Sequence, residues 1–328
     1  MFSQPWAYTL GPMPKPSPSS SARSARGSAA PPDIAELRPG QSIELLKELH
    51  ILTREGRLNQ DTRRKLKQVY HLYQFIEPLL DEVHGRQADP VLVDHGAGKS
   101  YLGFILYDLY YNVARAGRPG PAGQGRIIGV ETRSELVLKS RELAQRLGFA
   151  RMDFLNLSVQ QSQAAVQMPA RVDIVTALHA CDTATDDAIS FGLQHQARHM
   201  VLVPCCQAEV AGALRQSKAL AIRRTPLAEL WRHPLHTREF GSQITNVLRC
   251  LRLQAHGYAL TVTELVGWEH SMKNELILAS RTEPAQAAQA QAAAQRLHEL
   301  LEQVGQPSLA QRFSVTSPGS SAAPANGL

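Results

Sequence analysis

The stretch Val91-Leu92-Val93-Asp94-His95-Gly96-Ala97-Gly98-Lys99-Ser100 decides the fold. Three aliphatic residues run into an acid and a pair of glycines, the pattern of a buried strand that ends in a tight turn before a helix. Three ligand chemistries compete for such a turn. A Walker loop needs a glycine five residues before Gly98-Lys99-Ser100, but Val93 stands there, so the loop is too short to wrap a phosphate. A dinucleotide fingerprint needs a third glycine where Tyr101 sits. What remains is acid-x-Gly-x-Gly. It suits S-adenosylmethionine (SAM), which has a cationic amino group for Asp94 and no phosphate to neutralise. Gly96 and Gly98 let the backbone come close to such a ligand. A tight βα turn with an incidental aspartate is the plain alternative.

Outward from this stretch, short Val/Ile/Leu-rich runs recur: RIIGVE (126–131), RMDFLN (151–156), VDIVTALHA (172–180), HMVLVPCC (199–206), YALTVTELVG (258–267) and NELILASR (274–281). Most are separated by helical patterns such as SELVLKSRELAQRLG (134–148). Near-continuous apolar strands alternating with helices predict an α/β fold with a parallel, doubly wound sheet buried on both faces. The last two runs are joined only by WEHSMK, so they are expected to pair as an antiparallel hairpin at one edge. Seven strands with a terminal hairpin form the Rossmann-like layout of SAM methyltransferases.

The flanks divide the 328 residues further. Residues 1–41 read as a disordered Pro/Ser/Arg tail without the apolar core of a secretory signal. Residues 42–88 read as a helical cover or lid, with Ser42 opening one helix and Asp61 or Thr62 a second. Leu66, Val69, Tyr70 and Tyr73 form an i, i+3, i+4, i+7 stripe on that second helix. The sheet domain is expected over 89–282, an exposed Ala/Gln-rich helix over 283–305 and a polar, disordered tail over 306–328. No run is apolar and long enough to cross a membrane. Four cysteines, two of them adjacent, make no disulfide framework and read as cytosolic, hence a cytoplasmic protein. The net charge of +6 invites a nucleic-acid partner, although Lys15, Arg23 and Arg26 of the N-terminal tail supply half of it.

Further residues join the candidate cofactor site. Glu131 ends the second strand, where an acid accepts hydrogen bonds from ribose hydroxyls. Thr132 and Glu135 form a Thr-x-x-Glu capping box for the next helix, which leaves Glu131 free. The Gly/Pro-rich stretch from Arg115 to Gly125 accounts for the long spacing before it. Asn156 and Ser158 follow the third strand, within reach of an adenine edge.

Chemistry is expected at the carboxyl ends of strands four and five. Those ends carry Leu178-His179-Ala180-Cys181-Asp182 and Pro204-Cys205-Cys206, so His179, Cys181, Asp182, Cys205 and Cys206 should cluster over the sulfonium. Close packing of small residues around a cofactor is one account of them. General-base catalysis by His179 or Asp182 is a second, and covalent catalysis by Cys205 a third. Zinc held by two thiolates and an imidazole is a fourth, though no Cys-x-x-Cys spacing supports a metal. Asp186 is read as the end of a Thr183-x-x-Asp186 capping box rather than as catalytic. No Asn/Asp-Pro-Pro-aromatic motif follows strand four, and no lysine follows strand five. The clamp of exocyclic-amino enzymes and the Lys-Asp-Lys-Glu set of many ribose 2′-O enzymes are therefore both missing.

Four segments, DHGAGKSYLGFILYDL, GVETRSELVLKSRELAQRLGF, ALHACDTATDDAI and VPCCQAE, occur in order. Together they resemble a methyltransferase family marked by an Asp-x-Gly-x-Gly-Lys loop, a Leu-His-x-Cys strand four and a Pro-Cys-Cys strand five. The resemblance spans about Asn59 to Arg281. That family includes bacterial proteins of uncharacterised substrate, eukaryotic methyltransferase-like proteins, a glutathione-S-transferase-C-terminal-domain protein and, more distantly, a tRNA ribose 2′-O-methyltransferase. The resemblance implies SAM-binding roles for Asp94, Gly96, Gly98, Lys99 and Glu131. It puts His179, Cys181, Cys205 and Cys206 at the active edge, His179 close to the cofactor. This chain departs from many eukaryotic members at Asp182, where they have glycine, and it lacks their zinc-finger extensions.

The acceptor is less legible. Arg54, Arg57, Arg63, Arg64, Lys65 and Lys67 form one basic stretch. Arg223, Arg224, Arg232, Arg238, Arg249 and Arg252 form another. On one edge they would make a phosphate track; apart, each is a solvated helix face. Tyr70, Tyr73 and Tyr101 are candidates to stack bases, with core packing the competing role for the first two. The expectation is a methyltransferase acting on structured RNA (tRNA or rRNA), in preference to protein or a small molecule. A non-catalytic SAM-binding scaffold is the alternative from another class. No obligate protein partner is evident.

Overall fold

A computed structural model describes residues 36–114, 125–178, 180, 182–204, 209–216, 229–230, 232–265, 275–283, 286–304 and 307–315. Its strands are β1 (Val91–His95), β2 (Arg126–Glu131), β3 (Met152–Asn156), β4 (Ile174–Ala177), β5 (His199–Leu202), β6 (Tyr258–Glu264) and β7 (Glu275–Arg281). They form one sheet in the order β3-β2-β1-β4-β5-β7-β6. The first five are parallel, and β7 runs antiparallel between β5 and β6. The expected terminal hairpin is present. β1 pairs with both β2 and β4, so the chain direction across the sheet reverses beside the glycine turn, where open α/β sheets place their ligands.

Side-chain alternation builds two core layers from the same strands. Leu92, Ile127, Ile174 and Val201 face one layer, while Val93, Ile128, Val175 and Met200 face the other. Helices α1 (Ile43–Glu48), α2 (Gln60–Arg86), α3 (Tyr101–Leu106) and α4 (Ser134–Arg146) serve the first layer. A π-helix over Tyr107–Ala114 continues α3. The short α5 (Val159–Ser162), α6 (Thr183–Gln194) and part of α8 (Pro234–Ala255) serve the second layer. α7 (Glu209–Gln216) precedes α8, and α9 (Ala287–Gln303) packs on α8. No helix among the described residues is long and apolar enough to cross a membrane.

Several local expectations are corrected. The N-cap of α2 is Asn59, not Asp61 or Thr62: its side chain accepts from Thr62 N while the Thr62 hydroxyl serves the Asn59 N–H. Asn59, two residues before Asp61, is among the best N-cap residues, and Thr62 at N3 completes the reciprocal pair. α2 is not a lid. Leu66, Leu72, Tyr73, Ile76, Leu80 and Val83 are buried in the same cluster as the strands. Lifting it would expose side chains worth about 1.5–3 kcal/mol each, far beyond a gating motion. α9 is only half exposed, since Ala293, Leu297 and Leu301 pack beside Leu248. The polar tail expected from residue 306 instead folds back at 307–315, where Phe313 is fully buried in that third cluster.

Candidate functional site

The turn after β1 is built from left-handed residues, Gly96 (φ 66°), Gly98 (φ 60°) and Ser100 (φ 53°), the first two where glycine avoids the Cβ penalty. The Ala97 N–H donates to Val130 O at 3.1 Å, and the Gly98 N–H donates to Glu131 Oε2 at 2.8 Å. The loop therefore hangs from the end of β2. Glu131 is nearly buried. Burial alone would raise its carboxyl, but hydrogen bonds from the Arg133 side chain and backbone and from Gly98 N–H outweigh that and hold it at about 2. An ionised carboxylate already occupies the Gly98 N–H, so that donor is not offered to a phosphate.

Gly96, Gly98, Glu131, Leu157, Ser158 and Asp187 share one cleft of about 600 Å³ at the carboxyl ends of the strands. Its lining combines glycine backbone, the aliphatic Val130, Leu157 and Val159 and the charged Glu131, Arg133 and Asp187, with room for a nucleoside. Glu131 is fully engaged here: Arg133 Nε and Nη2 each donate to it at 3.0 Å. Arg133 is mostly exposed, so its side chain is cheap to displace by ribose hydroxyls. The Thr132–Glu135 capping box does not form. Arg133 is the N-cap of α4 without a side-chain cap, and the Thr132 hydroxyl turns to Glu131 Oε1 at 3.2 Å.

The structure divides the other expected cofactor residues. Asp94 lies inside the sheet, 2% exposed, its Oδ1 accepting from the Thr176 hydroxyl of β4 at 2.7 Å. Burial pushes its carboxyl up to about 7, partly opposed by that hydroxyl. It is not among the residues lining the cleft. Neither is Lys99, which faces a separate pocket with His50, Lys139 and Arg146, because the turn carries its side chain to the α4 side. Ser158 lines the cleft, but its hydroxyl caps α5 by accepting from Gln161 N. Asn156 is spent on structure, its amide donating to the carbonyls of Glu131 and Thr132. His179, Cys181, Cys205 and Cys206 lie outside the described residues, as do Arg223, Arg224 and residues 115–124.

At the β4 edge, Asp182 has φ 51° and ψ −121°, a backbone region that favours glycine, just before α6. Its Oδ1 accepts from the Glu209 N–H at 3.3 Å, tying the β4–α6 turn to the start of α7. The strain accounts for a position where glycine is the easier residue. Asp186 is not part of a capping box. It is buried against Arg249, with Nη2–Oδ2 at 2.7 Å. Asp187, which the sequence reading passed over, lines the cleft with its carboxyl raised by burial. It shares the acidic doublet with Asp186, and only the helix rotation sends one inward and the other to the cleft. Among the described residues, no group of three or more His, Cys, Asp or Glu is placed to hold a metal.

The basic stretches separate likewise. Arg54, Arg57, Arg64 and Lys67 are exposed and make no ion pair among the described residues, whereas Arg63 pairs with Glu36 and Lys65 with Asp61. Arg249 and Arg252 are buried and leave any phosphate track. Tyr73 is core, with Arg38 over its ring at 4.5 Å, and half-buried Tyr70 bonds Gln41. Tyr101 packs partly against the first core layer, near Lys65.

Residues 64–213 match a family model described as a methyltransferase domain. The fold, the cleft and this match make the chain a SAM-dependent methyltransferase, an α/β enzyme with S-adenosylmethionine as its cofactor. Solved structures similar to it include precorrin-6y C5,15-methyltransferase from Geobacter metallireducens, 16% identical over 60% of this chain and 82% of that one, TM-score 0.34. The magnesium protoporphyrin IX methyltransferase of Synechocystis with bound SAH is 12% identical over 72% and 94%, TM-score 0.39. An rRNA methylase from Streptococcus thermophilus is 9% identical over 60% and 88%, TM-score 0.35. Likenesses this distant say nothing of the acceptor. No curated protein sequence matches the chain.

Proposed function

We propose that this methyltransferase acts on structured RNA, and that it belongs with the proteins whose strand four carries Leu-His-x-Cys and strand five Pro-Cys-Cys. The observation that carries the RNA reading is the set of exposed cations Arg54, Arg57, Arg64 and Lys67, which make no ion pair within 4 Å among the described residues. They stand on the loop before α2 and on its first turns. The Lys65 of the same turns lies near Tyr101, the first residue after the glycine loop. Phosphates bound along these cations would bring an RNA up to the edge that holds the donor.

When bound, S-adenosylmethionine supplies a methyl group on a sulfonium, the leaving sulfur taking the bonding pair as the acceptor forms its new bond to carbon. Glu131 accepts from the ribose hydroxyls once Arg133 swings out. Gly96 and Gly98 would leave room for the ligand, and Asp94, behind the cleft wall, would supply a carboxylate to balance its amino group. Asp182 or His179 takes the proton that an acceptor N–H or O–H loses. Most of the acceleration would come from alignment of acceptor and methyl carbon.

The purified protein, incubated with methyl-labelled SAM and with RNA, protein and small-molecule fractions of cells lacking it, should label RNA. Label in protein or metabolites would overturn the RNA acceptor while keeping the enzyme. Absence of label from all three, with SAH binding intact, would favour a SAM-binding scaffold.

A further inference from the structure

Arg249 lies in the interior of α8 with its side chain wholly buried. Its Nε and Nη2 donate to the two oxygens of Asp186 at 2.8 and 2.7 Å. Nη2 also donates to the carbonyl of Asp182 at 2.7 Å, and Nη1 to Asn246 Oδ1 at 3.1 Å. Asn246 donates in turn to Glu275 Oε2 at 2.7 Å. Glu275 begins β7, which is antiparallel to β5 with Leu202 opposite Ile277, so it stands just beyond the carboxyl end of β5. Asp182 accepts from Glu209 N at the start of α7. One guanidinium thus ties together the connections after β4, after β5 and before β7, all on the ligand edge of the sheet.

A buried ion pair is poor evidence for net stability, because desolvating two charges offsets their attraction and an apolar pair of similar size often does as well. What this pair does hold is a peptide that would otherwise relax. Asp182 sits at φ 51°, and its carbonyl is held by Arg249 and, at 3.3 Å, by the Thr185 N–H. On either side of it, Ala180 and Ala184 line the cleft. α8 is itself seated tightly: a Cβ on its Gly241 would lie 2.6 Å from the Cβ of Ala211 in α7, so the base of Arg249 is fixed to the neighbouring helix. The glycine turn and Glu131 make no contact with this brace among the hydrogen bonds and ion pairs of Arg249.

We propose that Arg249 is a positioning residue for the methyl acceptor. It locks the strained Asp182 turn that forms the acceptor side of the cleft, and it leaves the donor-holding turn after β1 to Glu131. This rests on the transfer reaction proposed above.

Arg249→Lys keeps a cation opposite Asp186 but loses the planar fork that serves Asp186, Asp182 and Asn246 together; Asn246→Ala removes the partner of Arg249 Nη1 and with it the link to Glu275, leaving the Asp186 pair and the Asp182 carbonyl contact in place. Three readouts on the full chain test the idea: SAH affinity, amide exchange by segment, and transfer to the RNA fraction. For Arg249→Lys, SAH affinity should stay within about twofold, a difference of under 1 kcal/mol. Exchange should quicken about tenfold or more at Asp182–Asp186, and not in β1 and β2. Transfer should fall about 100-fold, the scale on which a misplacement near 1 Å acts. Asn246→Ala should follow the same pattern more weakly, and it decides the matter if Arg249→Lys does not fold. Loss of SAH affinity with exchange raised throughout the sheet would reduce Arg249 to a scaffold residue and overturn the proposal. Unchanged exchange at Asp182–Asp186 would overturn it too. If the wild-type protein labels no RNA, the RNA reading falls, and the exchange and affinity measurements still decide the brace.

Discussion

The Gly98 N–H donates to Oε2 of Glu131 at 2.8 Å, so the acid that ends β2 also sets the turn that ends β1. Glu131→Gln removes the charge from this joint and from the proposed ribose contact together. Hydrogen bonds to a charged group are worth about 1.5–3 kcal/mol, so SAH affinity should weaken about tenfold or more. Arg133→Ala should leave affinity unchanged or tighter, since it frees the Glu131 lone pairs that the arginine occupies. Titration calorimetry on both variants checks this; equal losses in the two would refute the displacement of Arg133.

The buried Asp94 carboxyl, pushed up to about 7, is charged in only part of the molecules near neutrality. If it balances the amino group of the donor, SAM affinity should strengthen as pH rises from 6 to 8, while Asp94→Asn binds weakly at every pH. A wild-type affinity that is flat across this range would remove Asp94 from the site.

Asp94 and His95 are neighbours shifted in opposite senses. Burial pushes the His95 imidazole down to about 3, aided by the nearby His195, and neither ring nitrogen has a hydrogen-bond partner among the described residues. Between about pH 4 and 6.5 the native Asp94 keeps a proton that the unfolded chain releases, so its contribution to stability falls as pH rises. The native His95 lacks a proton that the unfolded chain binds, so its contribution rises with pH. Each slope approaches about 1.4 kcal/mol per pH unit. Relative to wild type, Asp94→Asn should therefore gain stability with rising pH and His95→Phe should lose it. Urea unfolding at three pH values in this window shows the two signs directly; parallel curves would mean the shifts are absent.

The exposed cations Arg64 and Lys67 lie three residues apart on α2, on one helix face. Arg64→Glu with Lys67→Glu should weaken binding to a structured RNA, and wild-type affinity should fall steeply with salt. Each lost phosphate contact lowers the logarithmic salt slope by about 0.7–1. An unchanged slope would place the RNA elsewhere or exclude it.

Much of this was legible in the chain. β1, β2, β4 and β5 are short runs of aliphatic residues that only a sheet covered on both faces can bury, and they are found as read. The glycine pair and Glu131 were legible because left-handed backbone and an acid at a strand end are local requirements. Caps were read less well: Thr132 and Thr183 each have an acid at i+3, yet the bond of Thr132 to its neighbour Glu131 and the tertiary bond of Asp186 to Arg249 took precedence, and Asn59 caps α2 ahead of Asp61.

The sequence by itself determined the order of strands and helices, the hairpin at the edge and the glycine turn after β1, because periodicity and backbone conformation are encoded over a few residues. Only the tertiary structure decided that Asp94 is interior, that Lys99 faces another pocket, that Asp187 rather than Asp186 reaches the cleft, and that Arg249 is a buried brace instead of a surface cation. Those assignments depend on which side of an element meets which neighbour. The charge of a residue carries no trace of that until residues 63 positions apart, such as Asp186 and Arg249, are brought within 2.7 Å.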